Sequence, residues 1–383
     1  MQKASKLQSI LTGSLVAVAL LAIGLRGYTL LHLPLEARCG SDFPVFYASG
    51  KLLGTPSLYS WKAMQDMEQR IMGCSSGYAV FIRLPYFAAL MKPWSLLPFW
   101  PAFWLWRAIS VCAIGVFVWL WPGQRRWALV ACAWSLPLHG TITGGQDEAF
   151  LLMWLAISVF LVSRGREFAA GSVLAMCAAK FHLFLLLPLF LWRRPHLLKG
   201  FLVACAAVLA SCFAVCPTWP KQFLTAIQNN IDPQPSGSAN LRSLAHSNLT
   251  LELLLAGAVV LVAFYVIRRG DFEYGLNAVL AGGVLVSHHG ANTVLLVPVA
   301  LTVAWHPIAR YSKVPAIYLA SPFAYASPAW FQALMILVLL VVSAYEVRKY
   351  NQHKDGIYSP VSGQQANEIV EAAIRPPDPT PGR

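Results

Sequence analysis

Apolar residues along this chain arrive in blocks, each closed by a basic pair, a proline or a short polar turn. Most blocks are about as long as a helix needs to cross a bilayer, roughly 17 to 25 residues. They run from Ser9 to Leu31, Phe81 to Leu97, Ala102 to Trp121, Trp127 to Ile142, Ala149 to Ser163 and Phe168 to Trp192, and others open near Gly200, Leu249, Tyr274, Ala291, Pro315 and Trp330. The pattern predicts an all-α polytopic membrane protein with about twelve transmembrane helices. Two connections are long, Leu33 to Val80 and Pro217 to Asn248, and parity places both on one side. Residues 1–350 then form one membrane domain, and 351–383, polar and ending in Arg375-Pro-Pro-Asp-Pro-Thr-Pro-Gly, a disordered tail.

Lys3 and Lys6 precede the first block and no small-residue cleavage site follows it, as in a retained anchor with a cytoplasmic N-terminus. This orientation places both termini in the cytoplasm and both long loops outside the inner (plasma) membrane. It puts Arg193, Arg194, Lys199, Arg268, Arg269, Arg310, Lys313, Arg348 and Lys349 inside, as the positive-inside rule favours. Two short turns, Arg125 with Arg126 and Arg164 with Arg166, fall outside against that rule.

Composition agrees: 57% hydrophobic and 12% charged residues exclude a soluble domain, a disordered chain and a secreted disulfide scaffold. The net charge of +13 is spread as pairs between apolar blocks, which suits topology and lipid phosphates rather than nucleic acid. Of the eight cysteines, Cys39 and Cys74 share the first long loop, as a bridge or as two free thiols. No metal-ligand spacing occurs, and no divalent metal or other cofactor is expected.

Asp42 leads the candidates for chemistry, an acid just beyond the first block in Ser41-Asp-Phe-Pro-Val-Phe-Tyr47. Beside apolar rings its pKa rises, which suits it to accept a proton from an alcohol; the plain alternative is a helix N-cap. Within the blocks the ionisable residues Arg26, Lys92, Arg107 and Lys180 are all basic. Buried cations suit phosphate groups, whereas ion-coupled transporters need carboxylates at mid-membrane. Lys180 is too deep to snorkel, and it either meets substrate or pairs with Asp147 or Glu148. Gly144-Gly-Gln-Asp-Glu148 reads as a helix break, and Arg83 lies where the first long loop re-enters the membrane. Asn240-Leu-Arg242 lies in the second long loop, and Ser287-His-His289 ends a block on the same side.

Taken in order, these motifs resemble the family-87 glycosyltransferases, membrane enzymes of the GT-C fold that use polyprenyl-phosphate-linked mannose or a similar sugar. The likeness covers most of the chain, from Ser41-Asp-Phe-Pro-Val-Phe-Tyr through Arg83-Leu-Pro-Tyr-Phe, Gly145-Gln-Asp, Arg164-Gly-Arg-Glu-Phe-Ala-Ala-Gly171, Ala179-Lys-Phe-His182 and Asn240-Leu-Arg242 to the turn at Ser287 to His289. It implies that Asp42 is the catalytic base and His289 the family's late histidine, with His288 beside it. Arg83, Lys180 and Arg242 become candidate phosphate ligands, and Tyr47 and Gln146 further substrate-binding candidates. Two positions depart from the family pattern: its tyrosine-proline-proline reads Leu84-Pro85-Tyr86, and the aspartate that follows its histidine is missing, Asn292 being the nearest polar residue.

The resulting expectation is an inverting transferase that moves a sugar, mannose by resemblance, from a polyprenyl-phosphate donor to a hydroxyl of a lipid or glycan acceptor at the extracytoplasmic face. A single base suffices, because retention requires a second carboxylate about 5 Å away. Membrane lipid, donor and acceptor are the expected partners, in glycolipid or cell-envelope synthesis. A transporter or flippase for an anionic lipid is the competing class, and it predicts inverted repeats and balanced loops, neither of which is visible.

Overall fold

The computed structural model describes residues 42–73, 81–230, 239–246, 248–287 and 292–357, together with helical residues scattered between 13 and 28. All regular structure among the described residues is helical, as the apolar blocks predict. Among the described residues four helices are long and apolar enough to cross a membrane: α4 (Phe99–Leu120), α10 (Pro195–Val215), α13 (Leu249–Arg269) and α18, within which Ala329–His353 qualifies. The shorter helices between them are α5 (Arg125–Trp134), α6 (Leu136–Gly144), α7 (Glu148–Ser163), α8 (Glu167–Leu174), α14 (Phe272–Val286), α15 (Leu296–Trp305), α16 (Lys313–Ala320) and α17 (Phe323–Ala326). The first long loop folds into α1 (Phe43–Leu52) and α2 (Trp61–Met72), and the second carries α11 (Trp219–Asn230) and α12 (Leu241–Leu244).

These elements run between two faces. On the upper face the two long loops meet, Tyr59 packing edge-on against Phe223 at 5.7 Å. Asn240 Nδ2 donates to the Ser287 carbonyl at the end of α14 (3.1 Å). On the lower face, His306, just after α15, lies 2.7 Å from Asp271 at the start of α14. Glu346 of α18 accepts the backbone N–H groups of Arg310, Tyr311 and Ser312 and the hydroxyls of Ser312 and Tyr274. A carboxylate borrowed from another helix thus satisfies the backbone donors of the turn that leads into α16.

Two of the expected spans are not spans. Phe81 to Leu97 forms only the seven-residue helix α3 (Pro85–Met91) and one 3-10 turn, Trp94–Leu96, before α4 starts. Pro85, Pro93 and Pro98 break it, since proline lacks the amide a continuous helix needs. It stays at the upper face, where the Tyr47 hydroxyl donates to the Leu97 carbonyl (2.6 Å).

Phe168 to Trp192 is a hairpin that enters and leaves by the lower face. It rises through α8 and a 3-10 segment (Ala175–Phe184), kinks at Lys180 (φ −123°, ψ 58°), and descends through α9 (Leu187–Leu191). Its ends meet where Arg194 Nη1 lies 2.6 Å from Glu167 Oε1. The hairpin base seats on α10 backbone to backbone: a Cβ on Gly171 would overlap the Leu197 carbonyl, and one on Gly200 that of Phe168.

Removing two crossings repairs the charge distribution. Arg125 and Arg126 follow Gly123 and precede Trp127, both of which pack on Trp305 at the lower face. Arg164 and Arg166 precede Glu167. Both turns therefore share a face with Arg193 and Arg194, and the two apparent exceptions to the positive-inside rule disappear. Helix α18 continues to Ile357, past the expected start of the tail at residue 351.

Candidate functional site

The polar centre of the molecule is a cluster of opposed charges just inside the upper face, assembled from four separate elements. Arg83, in the bend that leads into α3, sets its guanidinium against Asp147 with Nε 3.2 Å from Oδ2 and Nη2 3.3 Å from Oδ1. Lys180, at the hairpin apex, lies 3.1 Å from Asp147 Oδ1 and also bonds Glu148. Thr141 of α6 donates to the other oxygen of Glu148 (3.4 Å). The side chains of Asp147, Glu148 and Lys180 are all at most 5% exposed, and Arg83 is 12% exposed. Two acids opposite two cations form a neutral group, which is how charges remain ionised away from water.

The turn Gly144-Gly-Gln-Asp-Glu148 is the expected helix break, and it bends α6 against α7 by 118°. Gly145 makes it possible with φ of +62°, and a Cβ there would come within 2.7 Å of Phe43 Cβ. Trp106 Nε1 donates to the Gly145 carbonyl (2.9 Å), Arg107 donates to that of Thr143, and the backbone N–H of Asp42 donates to that of Gly144 (3.0 Å). The turn that presents Asp147 therefore also holds Asp42.

Asp42 occupies the N-cap position of α1, as the plain alternative proposed, but its carboxylate makes no capping bond. It has no ion-pair or hydrogen-bond partner for its side chain among the described residues. Burial pushes its pKa above the usual carboxylate value; the charge of Lys180 opposes this, Glu148 adds to it, Arg83 opposes it and Asp147 adds to it. The structure thus gathers Asp42, Arg83 and Lys180 around Asp147 and Glu148, the two acids that sequence offered as partners of Lys180.

The other candidates separate. Tyr47 spends its hydroxyl on Leu97, and its ring packs edge-on against Phe99 at 5.3 Å, in an aromatic core. Gln146 is half-buried in the turn, and its backbone N–H bonds the Thr141 carbonyl (2.8 Å). Arg242 is half-buried on α12 with no ion-pair partner among the described residues. Its neighbour Asn240 ties that helix to Ser287, the residue before His288. His288, His289, Cys39 and Cys74 lie outside the described residues.

Sequence reading offered Asp147 and Glu148 as partners of Lys180, and the structure pairs Lys180 with both. It missed that Asp147 also takes Arg83, which joins the two cations into one cluster. It missed Tyr86 too, whose hydroxyl is buried with no hydrogen-bond partner among the described residues.

Apolar membrane-length helices around a buried polar site at one face define an integral membrane protein with a site at its surface. The model of glycosyltransferase family 87 matches residues 81–306, more than half of the chain, and the chain belongs to that family. It is a membrane glycosyltransferase. The matched range holds Arg83, Gln146, Lys180, Arg242 and both histidines, and begins after Asp42 and Tyr47. No curated protein and no solved structure matches the chain.

Proposed function

We propose that this glycosyltransferase moves mannose from a polyprenyl-phosphate donor to a hydroxyl of a lipid or glycan acceptor at the extracytoplasmic face, with inversion and with Asp42 as general base. The reading rests on one observation: the Asp42 carboxylate stands at a helix N-cap without capping it, its proton affinity raised by burial beside a fixed charge cluster. In the reaction Asp42 takes the proton of the acceptor hydroxyl as that oxygen attacks the anomeric carbon. The carbon–oxygen bond to phosphate breaks, and polyprenyl phosphate leaves with the electron pair.

Arg83 and Lys180 are held by Asp147 and Glu148. Their role in this reading is to fix the cluster and set the field at Asp42. Arg242 and the histidines 288 and 289 are then the groups for the leaving phosphate, and the Asn240–Ser287 bond supports bringing them together. No metal is required, because the leaving group is already a phosphate anion.

The test is reconstitution of wild type and Asp42→Asn in lipid with labelled polyprenyl-phospho-mannose, polyprenyl-phospho-glucose and membrane extract as acceptor. Transfer from the mannose donor by wild type and its loss in folded Asp42→Asn is the expected result. Equal transfer by both proteins removes Asp42 as the base, and transfer only from the glucose donor overturns the sugar.

A further inference from the structure

At the lower face, α16 packs against α18, and each carries a side-chain stripe in the same order from hydrocarbon to cation. On α18, Val341, Tyr345 and Lys349 follow one another at one-turn intervals, inside the stretch Ala329–His353 that can cross a membrane. On α16 and the turn before it, Ile317 and Val314 lead back to Tyr311 and Arg310. Val314 is 74% and Ile317 62% exposed, while Tyr311, Val341 and Tyr345 are about half exposed. The stripes join at the two tyrosines, whose ring centroids are 6.2 Å apart. Arg310 stands 5.3 Å over the Tyr311 ring and Lys349 5.1 Å over the Tyr345 ring, and both cations are exposed. They are close enough for their charges to repel.

The charge balance selects the occupant. From 306 to 353 the chain holds four lysines and arginines, Arg310, Lys313, Arg348 and Lys349, and one acid, Glu346. Glu346 is 4% exposed and spends its oxygens on the backbone of 310–312 and on Ser312 and Tyr274. We infer that the phosphate of an anionic phospholipid of the lower leaflet binds between Arg310 and Lys349, with an acyl chain along Val314, Ile317 and Val341. The two cations call for an anion, which a zwitterionic lipid with its own ammonium supplies less well. The exposed apolar side chains beside them call for hydrocarbon, which a soluble acidic partner lacks. The tyrosine rings steady both cations, so less side-chain freedom is lost on binding. This site lies on the face opposite Asp42 and does not depend on the transfer reaction.

The test titrates the full-length protein, delipidated in detergent, with short-chain phosphatidylglycerol, with phosphatidylcholine of the same chains and with glycerol 3-phosphate. Binding is read by native mass spectrometry and by the unfolding midpoint. The variant is Arg310→Gln with Lys349→Gln. Arg125→Gln with Arg126→Gln is the control, since it removes the same charge from another turn of the lower face, where Arg125 also stands over a ring, that of Trp119. A third protein, Val314→Ser with Ile317→Ser, keeps every cation and removes apolar wall.

The expected result is a retained phosphatidylglycerol that raises the midpoint of wild type. Its Kd rises about twentyfold in the Arg310–Lys349 variant, roughly a factor of five for each cation, and is unchanged in the control. It also rises in the Val314–Ile317 variant. No bound phosphatidylglycerol, or equal affinity for phosphatidylcholine, overturns the site. Equal losses in the two arginine-and-lysine variants do so as well, because net charge of the face then explains the binding. Glycerol 3-phosphate that binds as tightly as the lipid, or a Val314–Ile317 variant with unchanged affinity, overturns the lipid as occupant, since the apolar wall then contributes nothing.

Discussion

Glu167 and Arg194 bracket a stretch apolar enough to span a bilayer, yet their side chains meet at 2.6 Å. That bond converts an apparent crossing into a hairpin whose apex carries Lys180 to the charge cluster. A lysine at a hairpin tip is presented from below to a site built from above, and the two halves are joined by its bonds to Asp147 and Glu148.

The hairpin predicts sidedness. In a cysteine-depleted background, Arg166→Cys and Arg193→Cys become labelled by a membrane-impermeant maleimide from the same side, and from the side opposite a cysteine placed at Lys62 in the first long loop. Labelling of positions 166 and 193 from opposite sides means that the segment crosses after all.

The cluster predicts unequal costs for ion pairs that look alike on paper. Asp147→Ala strands Arg83 and Lys180 without a shared partner inside the protein, and costs about 3–5 kcal/mol in reversible detergent unfolding. Arg194→Gln breaks a pair whose side chains are 32% and 27% exposed, and costs at most about 1 kcal/mol. Similar losses in the two variants mean that the cluster is hydrated and does not hold the site.

The helical class and the membrane setting were legible because apolar block length is a local property. The hairpin was not, since a hydropathy average registers Phe168 to Trp192 as continuous whether or not Lys180 turns the backbone. The prolines at 85, 93 and 98 did mark the other false span, and weighing them above the average corrects it. The break at Gly144–Gly145 was legible from composition. The pairing of Lys180 with the acids beside it was legible as one of two alternatives, but the second partner of Asp147 was not, because Arg83 is 64 positions away. Likewise Asp42 reads as a cap or as a free acid in sequence, and only the course of α1 against the α6–α7 turn separates them.

Asp42 makes stability and activity respond to pH in opposite directions. Its folded pKa is raised, so the folded state holds this proton more tightly than the unfolded chain. Its contribution to stability is complete below the ordinary carboxylate value and is lost as pH rises through the raised one. Transfer needs the ionised form and increases over that same interval. At neutral pH Asp42→Asn is therefore more stable than wild type and inactive, and its unfolding midpoint no longer falls across that range. A less stable Asp42→Asn protein means that the carboxylate has a structural partner.

Gly145 couples the backbone of the turn to the position of the base, and two alanine substitutions separate that coupling from conformational strain. Gly54 and Gly145 both have positive φ, +83° and +62°, so alanine costs each of them backbone strain, about 1–3 kcal/mol at most. A Cβ on Gly54 meets nothing within 4 Å, whereas one on Gly145 meets Phe43 Cβ at 2.7 Å and Phe103 at 3.1 Å. Phe43 is the residue after Asp42, and the N–H of Asp42 is bonded to the residue before Gly145. Moving the ring therefore moves the carboxylate relative to Lys180 and Arg83. Gly54→Ala lowers stability and leaves the transfer rate of the folded protein unchanged, while Gly145→Ala lowers the rate about tenfold or more, as small displacements of a catalytic group do. The measurement is kcat on folded protein for each variant, beside its unfolding midpoint. Equal rates in the two variants mean that the base is not positioned through Phe43, and that the N–H bond of Asp42 to Gly144 alone sets its place.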